Sequence, residues 1–219
     1  MPTSSPETAA AAIVEFLGDL FAAILLRGSV YRDAVADPRA WRRAAVIVIL
    51  AGMASDSLGL YSHLDRFLVV TLANWSLLAI MLLAIARWYF GTGVAWIAAR
   101  AGGMDMDYAA LMRAAGYAYA PGALHILPAV LYWVGVVPVT LAIVTAIRWL
   151  VLPWILVALT VAVRAAGVTS LPRAFTIGLV IFVASNLFDF LLDGVLFVGL
   201  GLDGVGTELA RWLPHVGTA

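Results

Sequence analysis

Five long apolar runs dominate this chain, at about residues 44–62, 70–99, 111–133, 138–163 and 174–200. Each is close to or above the roughly 20 residues that an α-helix needs to cross a bilayer. Lipid offers no partner for a free backbone N–H or C=O, so apolar runs of this length are expected to be helices. Composition agrees: 64% of the residues are hydrophobic, 12% are charged, and the mean hydropathy is +1.01. A soluble domain is about half apolar and about a quarter charged, which leaves enough polar surface to face water; this chain has too little. The expected fold is all-α: a polytopic membrane helix bundle of five transmembrane spans, with an amphipathic interfacial helix at the N-terminus. It reads as one domain, with a cytoplasmic segment over 1–43, a membrane domain over 44–200 and a short outer-face tail over 201–219.

Ser5-Pro6-Glu7 opens the first helix: a capping hydroxyl, a proline in the first turn, and an acid near the positive end of the dipole. The helix is expected to reach Leu26 and stop at Gly28. Glu15 and Asp19 lie four apart on one side, opposite Ile13, Phe16, Leu17, Leu20 and Ile24. This pattern suits a helix lying along the membrane surface, since two mid-helix carboxylates are costly in lipid. A crossing helix is the alternative. No basic region precedes this run, so no cleavable secretory signal is expected.

Arginine placement orients the spans. Arg27, Arg32, Arg39, Arg42 and Arg43 precede the first span, Arg100 and Arg113 flank one joint, and Arg164 and Arg173 flank another. The opposite side has Arg66 and Arg211. The segment before the first span is therefore expected in the cytoplasm and the C-terminal tail outside.

Ionisable groups inside spans draw attention because each costs roughly 2.5–3.5 kcal/mol when unpaired at the membrane centre. Arg87, Arg113, Arg148, Asp189 and Asp193 are such groups, and Asn186, Asp189 and Asp193 share one helical face. Arg148 and Asp189 lie at similar depth, so a pair between them is geometrically allowed; Arg87 can compete for Asp189. These groups either hold helices together or line a path for protons, ions or headgroups. Catalytic patterns are absent: His63, His125 and His215 are scattered, and no serine-hydrolase or phosphate-loop motif occurs. Gly102-Gly103 with Asp105 and Asp107 reads as a helix-to-helix turn with an acidic cap. No cofactor, metal or nucleic-acid partner is expected; net charge is zero.

The middle run carries helix breakers. Arg113, Tyr117, Pro121, His125, Pro128 and Tyr132 recur every three or four residues, so a helix confines them to one face. Pro121 frees the carbonyl of Tyr117 and kinks a helix, while Gly116 and Gly122 allow a neighbour to approach closely. That face is expected to point into protein or a wet cavity.

Gly116-Tyr117-Ala118-Tyr119-Ala120-Pro121 matches a Gly-Tyr-x-x-x-Pro pattern. Asp37-Pro38-Arg39-Ala40-Trp41 precedes the first span, Arg100-Ala-Gly-Gly103 closes the second, and Ser170-Leu-Pro-Arg-Ala174 opens the fifth. In that order and spacing the chain, over about residues 30–200, resembles the bacterial branch of the Yip (Ypt/Rab-interacting protein) membrane family. The resemblance implies five spans, a cytoplasmic N-terminus and no catalytic residues. The chain lacks the Asp-Leu-Tyr-Gly-Pro segment of eukaryotic relatives, so their role with Rab-type GTPases is not carried over. The functional expectation is a non-enzymatic component that organises membrane or binds a protein or lipid partner, with the bilayer, a membrane protein or a second copy as partners. A small transporter or channel using the intramembrane charges is one alternative; an accessory subunit of a larger complex is another.

Overall fold

A computed structural model describes residues 6–60, 75–128, 130, 141–168 and 170–199. Seven α-helices and one 3-10 helix account for nearly all of them, with no strand among the described residues. In chain order they are α1 (Pro6–Ile24), α2 (Gly28–Ala36), α3 (Ala40–Leu60), α4 (Trp75–Ala101), α5 (Tyr108–Ala118), the 3-10 helix (Ala120–Ile126), α6 (Leu141–Ala165) and α7 (Leu171–Gly199).

Three helices are long and apolar enough to cross a membrane: α4 over Met81–Ala101, α6 over Thr145–Ala165 and α7 over Leu171–Leu191. The first and third expected spans look different. α3 carries Arg42 and Arg43 in its first turn, and the third run is divided between α5 and the 3-10 helix. His63, Asp65 and Arg66, and the tail with Arg211, Trp212 and His215, lie outside the described residues.

Close approaches fix how the helices run. A Cβ built on Gly116 would meet the Cβ of Ala44 at 2.6 Å, and one on Gly122 would meet that of Ala51 at 3.0 Å. Both partners advance along their chains together, so α3 and the α5–3-10 segment are parallel. α4 runs against them: Trp96 Nε1 donates to the Met106 carbonyl at 2.9 Å, and Trp88 Nε1 to that of Met112 at 3.1 Å. α7 opposes α4, with Gly91 against Ser185 and Arg87 against Asp189. α6 and α7 form a hairpin across residues 166–170, in which Gly178 faces the backbone of Thr160.

Small residues make this possible. Ala44, Ala51, Ala95, Ala99, Ala114, Ala115, Ala158 and Ala162 are buried at these contacts or beside them. Membrane helices associate through such residues because lipid is as apolar as leucine and only close packing adds attraction. The outward faces carry Leu82, Ile97, Trp149, Val183 and Phe190, all exposed. Large side chains outside and alanine inside invert the arrangement of a water-soluble domain.

The turns follow local rules with one exception. Gly103 ends α4 at φ +73°, which lets Met104 N–H reach the Ala99 carbonyl, and Asp107 caps α5 by accepting from the N–H groups of Ala109 and Ala110. The exception is α1, expected to stop at Gly28. It ends at Ile24 instead; Leu26 takes the left-handed position at φ 56°, and Gly28 opens α2. Leu26 packs against the core there, which offsets a conformation costing roughly 1–2 kcal/mol outside glycine.

Candidate functional site: polar contacts within the helix bundle

The breaker-rich segment is where most elements meet. Pro121 has no N–H and its ring excludes the α-helical carbonyl four residues back. The backbone tightens instead: Tyr119 N–H donates to the Gly116 carbonyl at 3.3 Å and Gly122 N–H to that of Tyr119 at 2.8 Å. α5 therefore stops at Ala118 and a 3-10 helix takes over, with Pro121 in its first turn. This corrects the expected single kinked α-helix. Gly116, Tyr117, Pro121 and His125 are all buried, as one inward face requires.

Arg113 bonds backbone carbonyls rather than an acid. Its Nε donates to the Ala34 carbonyl at 3.0 Å and its Nη2 to that of Val35 at 2.7 Å. The last carbonyls of a helix lack partners within it, so a guanidinium fastens α2 to α5 there. Tyr31 joins α2 to α1 by donating to the Ala23 carbonyl at 3.0 Å, and burial pushes its phenol pKa far up.

A second cluster ties α1 to α3. Arg43 Nη1 lies 2.9 Å from Glu15 Oε1 and 2.7 Å from Asp19 Oδ2, and the Tyr117 hydroxyl is 3.5 Å from the same Asp19 oxygen. The hydrogen bond to Asp19 raises the Arg43 pKa above its ordinary value.

The third cluster lies between α4 and α7. Arg87 Nη1 pairs with Asp189 Oδ2 at 2.9 Å, its guanidinium carbon stands 5.9 Å from the Tyr119 ring centre, and Tyr119 Oη is 2.8 Å from Ser185 Oγ. Asp189 thus goes to Arg87 rather than to Arg148, which is exposed on α6 beside exposed Trp149. The reason is register. α4 and α7 approach closely at Gly91 and Ser185, where a Cβ on Gly91 would run into the Ser185 hydroxyl. Arg87 and Asp189 lie one turn from that point on their respective helices, so the contact aligns them.

Nearby, Ser55 Oγ is 2.8 Å from His125 Nδ1, and the buried Nε2 of that ring has no hydrogen-bond partner among the described residues. Asn186 does not join Asp189; it is exposed and donates to the Phe182 carbonyl on its own helix. Asp193 lies in α7 with its side chain outside what is described. At the α4–α5 turn, Trp96, Arg100, Asp105, Met106, Asp107 and Tyr108 line an open pocket of about 420 Å³, with Arg100 stacked 5.0 Å from Trp96.

The sequence pointed to the Arg87, Asp189, Tyr117 and His125 positions but missed Arg43, Ser55, Tyr119 and Ser185. Tyr119 lies two residues from Tyr117, off the three-and-four spacing that drew attention to that face. Its signal was the second tyrosine before the proline. Ser185 and Ser55 are small polar residues of the kind that helix interfaces favour, but nothing local marks which neighbour they face. Comparison with family models, curated proteins and solved structures finds no match for this chain.

Proposed function

We propose that this chain is a non-enzymatic integral membrane protein of Yip-like type, organising membrane or holding a protein or lipid partner in a bacterial inner membrane. One observation carries the proposal: three arginine-centred contacts, two of them ion pairs, each join separate helices. Arg87–Asp189 joins α4 to α7, Arg43 with Asp19 and Glu15 joins α3 to α1, and Arg113 joins α5 to α2. Charges spent on helix contacts suit a scaffold. The alternating directions of α3, α4, the α5–3-10 segment, α6 and α7 support five crossings. The arginines at 27, 32, 39, 42 and 43 favour a cytoplasmic position for α2 and the start of α3. Crosslinking in native nanodiscs followed by mass spectrometry is expected to recover a reproducible protein or lipid partner; recovery of none, in repeated preparations, overturns the reading.

A transport reading is favoured by two residues, the buried His125 Nε2 and the exposed Arg148 within a membrane-length helix. It requires ion or proton flux in proteoliposomes that falls on Asp189→Asn. The scaffold reading expects no flux above empty vesicles with either chain.

A further inference from the structure

α1 is turned the wrong way for a helix in water. Asp19 faces the protein, where Arg43 and Tyr117 hold it, and Glu15, itself largely exposed, reaches the same Arg43 guanidinium. Ile13, Val14, Leu17, Phe21 and Leu25 are exposed on the far side. At about 100° per residue these five fall within an arc of about 120°, a continuous apolar stripe. Phe16 and Leu20 pack against the core and Ala23 and Ile24 are buried, so the helix is seated rather than loose. Folding has engaged both carboxylates with Arg43 and left the apolar stripe without a neighbour among the described residues.

The course of α1 shows what covers the stripe. Its C-terminal end meets α2 through Ala23 and Tyr31, at the level where Arg113 grips α2. Asp19 lies beside Tyr117, one turn further along α5 than Arg113. The helix also contacts the 3-10 helix, which continues beyond Tyr117. α1 therefore climbs beside the α5–3-10 segment as it runs back toward Pro6. The stretch from Asp19 to Pro6 reaches roughly 20 Å past that level at about 1.5 Å per residue. Exposed Val46 and Leu50 on α3, and Ile126 and Leu127 at the end of the 3-10 helix, carry the apolar surface along the same two elements.

We propose that α1 is inserted in the bilayer beside the α5–3-10 segment, its Val14–Leu17–Phe21–Leu25 stripe against lipid acyl chains and its carboxylates clasped by Arg43, in place of a helix lying flat on the membrane surface. The inference rests on the membrane reading above. Lipid is favoured over a second copy of the chain because the stripe continues the exposed apolar surface of Val46, Leu50, Ile126 and Leu127, which the membrane reading sets against acyl chains. Ala12, on the opposite side of α1 from Leu17, is also exposed and reports whether that side meets water. The clasp meets the main objection to insertion: Asp19 and Glu15 enter paired to a guanidinium, so no lone carboxylate is carried into hydrocarbon.

The chain has no cysteine, so single thiols can be placed without background. Ala12→Cys, Phe21→Cys and Val183→Cys are reconstituted in nanodiscs with Ser170→Cys, an exposed turn position, as the water-facing control. Insertion predicts that an impermeant maleimide labels all three at least about tenfold more slowly than Ser170→Cys, in proportion to the burial of an apolar side chain. A small fluorophore attached at position 12 or 21 is then quenched by lipids brominated on their acyl chains. Rapid labelling of Ala12→Cys with Phe21→Cys protected means a surface helix and overturns the proposal. Protection of Phe21→Cys without quenching by brominated lipid means a protein contact and overturns it as well. Rapid labelling of Val183→Cys would instead bring down the membrane reading itself.

Discussion

Asp189→Leu is expected to destabilise the bundle by about 3 kcal/mol, and Arg87→Met added to it is expected to restore most of that loss. Removing the carboxylate leaves Arg87, only 18% exposed, beside the Tyr119 ring without its Asp189 contact. Breaking a part-buried pair by removing one partner costs more than the intact pair contributes. The lower part of the usual range applies because Asp189 itself is 41% exposed. Replacing both partners with apolar side chains of similar length removes the charge along with its counterion, and such exchanges are often neutral or stabilising. The measurement is a double-mutant cycle by denaturant titration in mixed micelles. A double-variant loss equal to the sum of the Asp189→Leu and Arg87→Met losses would mean that the two residues act independently, contrary to their 2.9 Å contact.

Gly116→Val is expected to lower stability by about 1–3 kcal/mol, with a matching fall in melting temperature. The first added carbon would stand 2.6 Å from the Ala44 Cβ and 2.9 Å from the Trp88 ring, and two branches would follow it. Neither neighbour gives easily. Ala44 is rooted in α3, and Trp88 is pinned by its hydrogen bond to Met112. α3 and α4 must therefore both shift away from α5, and the indole fluorescence should move with them. Gly93→Ala supplies the opposite sign. Nothing lies within 4 Å of a Cβ there, and alanine in the helix interior is favoured over glycine by about 1 kcal/mol. A Gly116→Val variant that melts with the parent would remove the close contact of α3, α4 and α5 from the fold.

The long apolar runs made the helices legible, because a membrane-length run has one stable backbone solution. The inward face of residues 113–125 was legible too, since helical spacing sorts side chains without knowledge of neighbours. What could not be read was which helix each face meets. Arg148 and Arg87 looked equivalent as partners of Asp189, and the choice turned on the Gly91–Ser185 approach, a contact between positions 94 residues apart. The end of α1 was misjudged for a different reason: Gly28 is a strong stop signal, but tertiary packing of Leu26 outweighed it. α2 went unread because nine residues of mixed polarity carry little periodic signal, and the partners of Arg113 were not foreseen because both carbonyls belong to that unread helix.

The Arg87–Asp189 pair also sets a schedule for synthesis. Asp189 follows Arg87 by 102 residues. At about 5–20 residues per second, α4 is made roughly 5–20 s before α7 can offer its carboxylate. During that interval the arginine is in place before its Asp189 counterion exists, and only the emergence of α7 completes that pair. A chain stalled before residue 189 would leave the described bundle without its α4–α7 ion pair. Nascent chains halted on either side of that position should differ in how readily α4 slips back out of the bilayer.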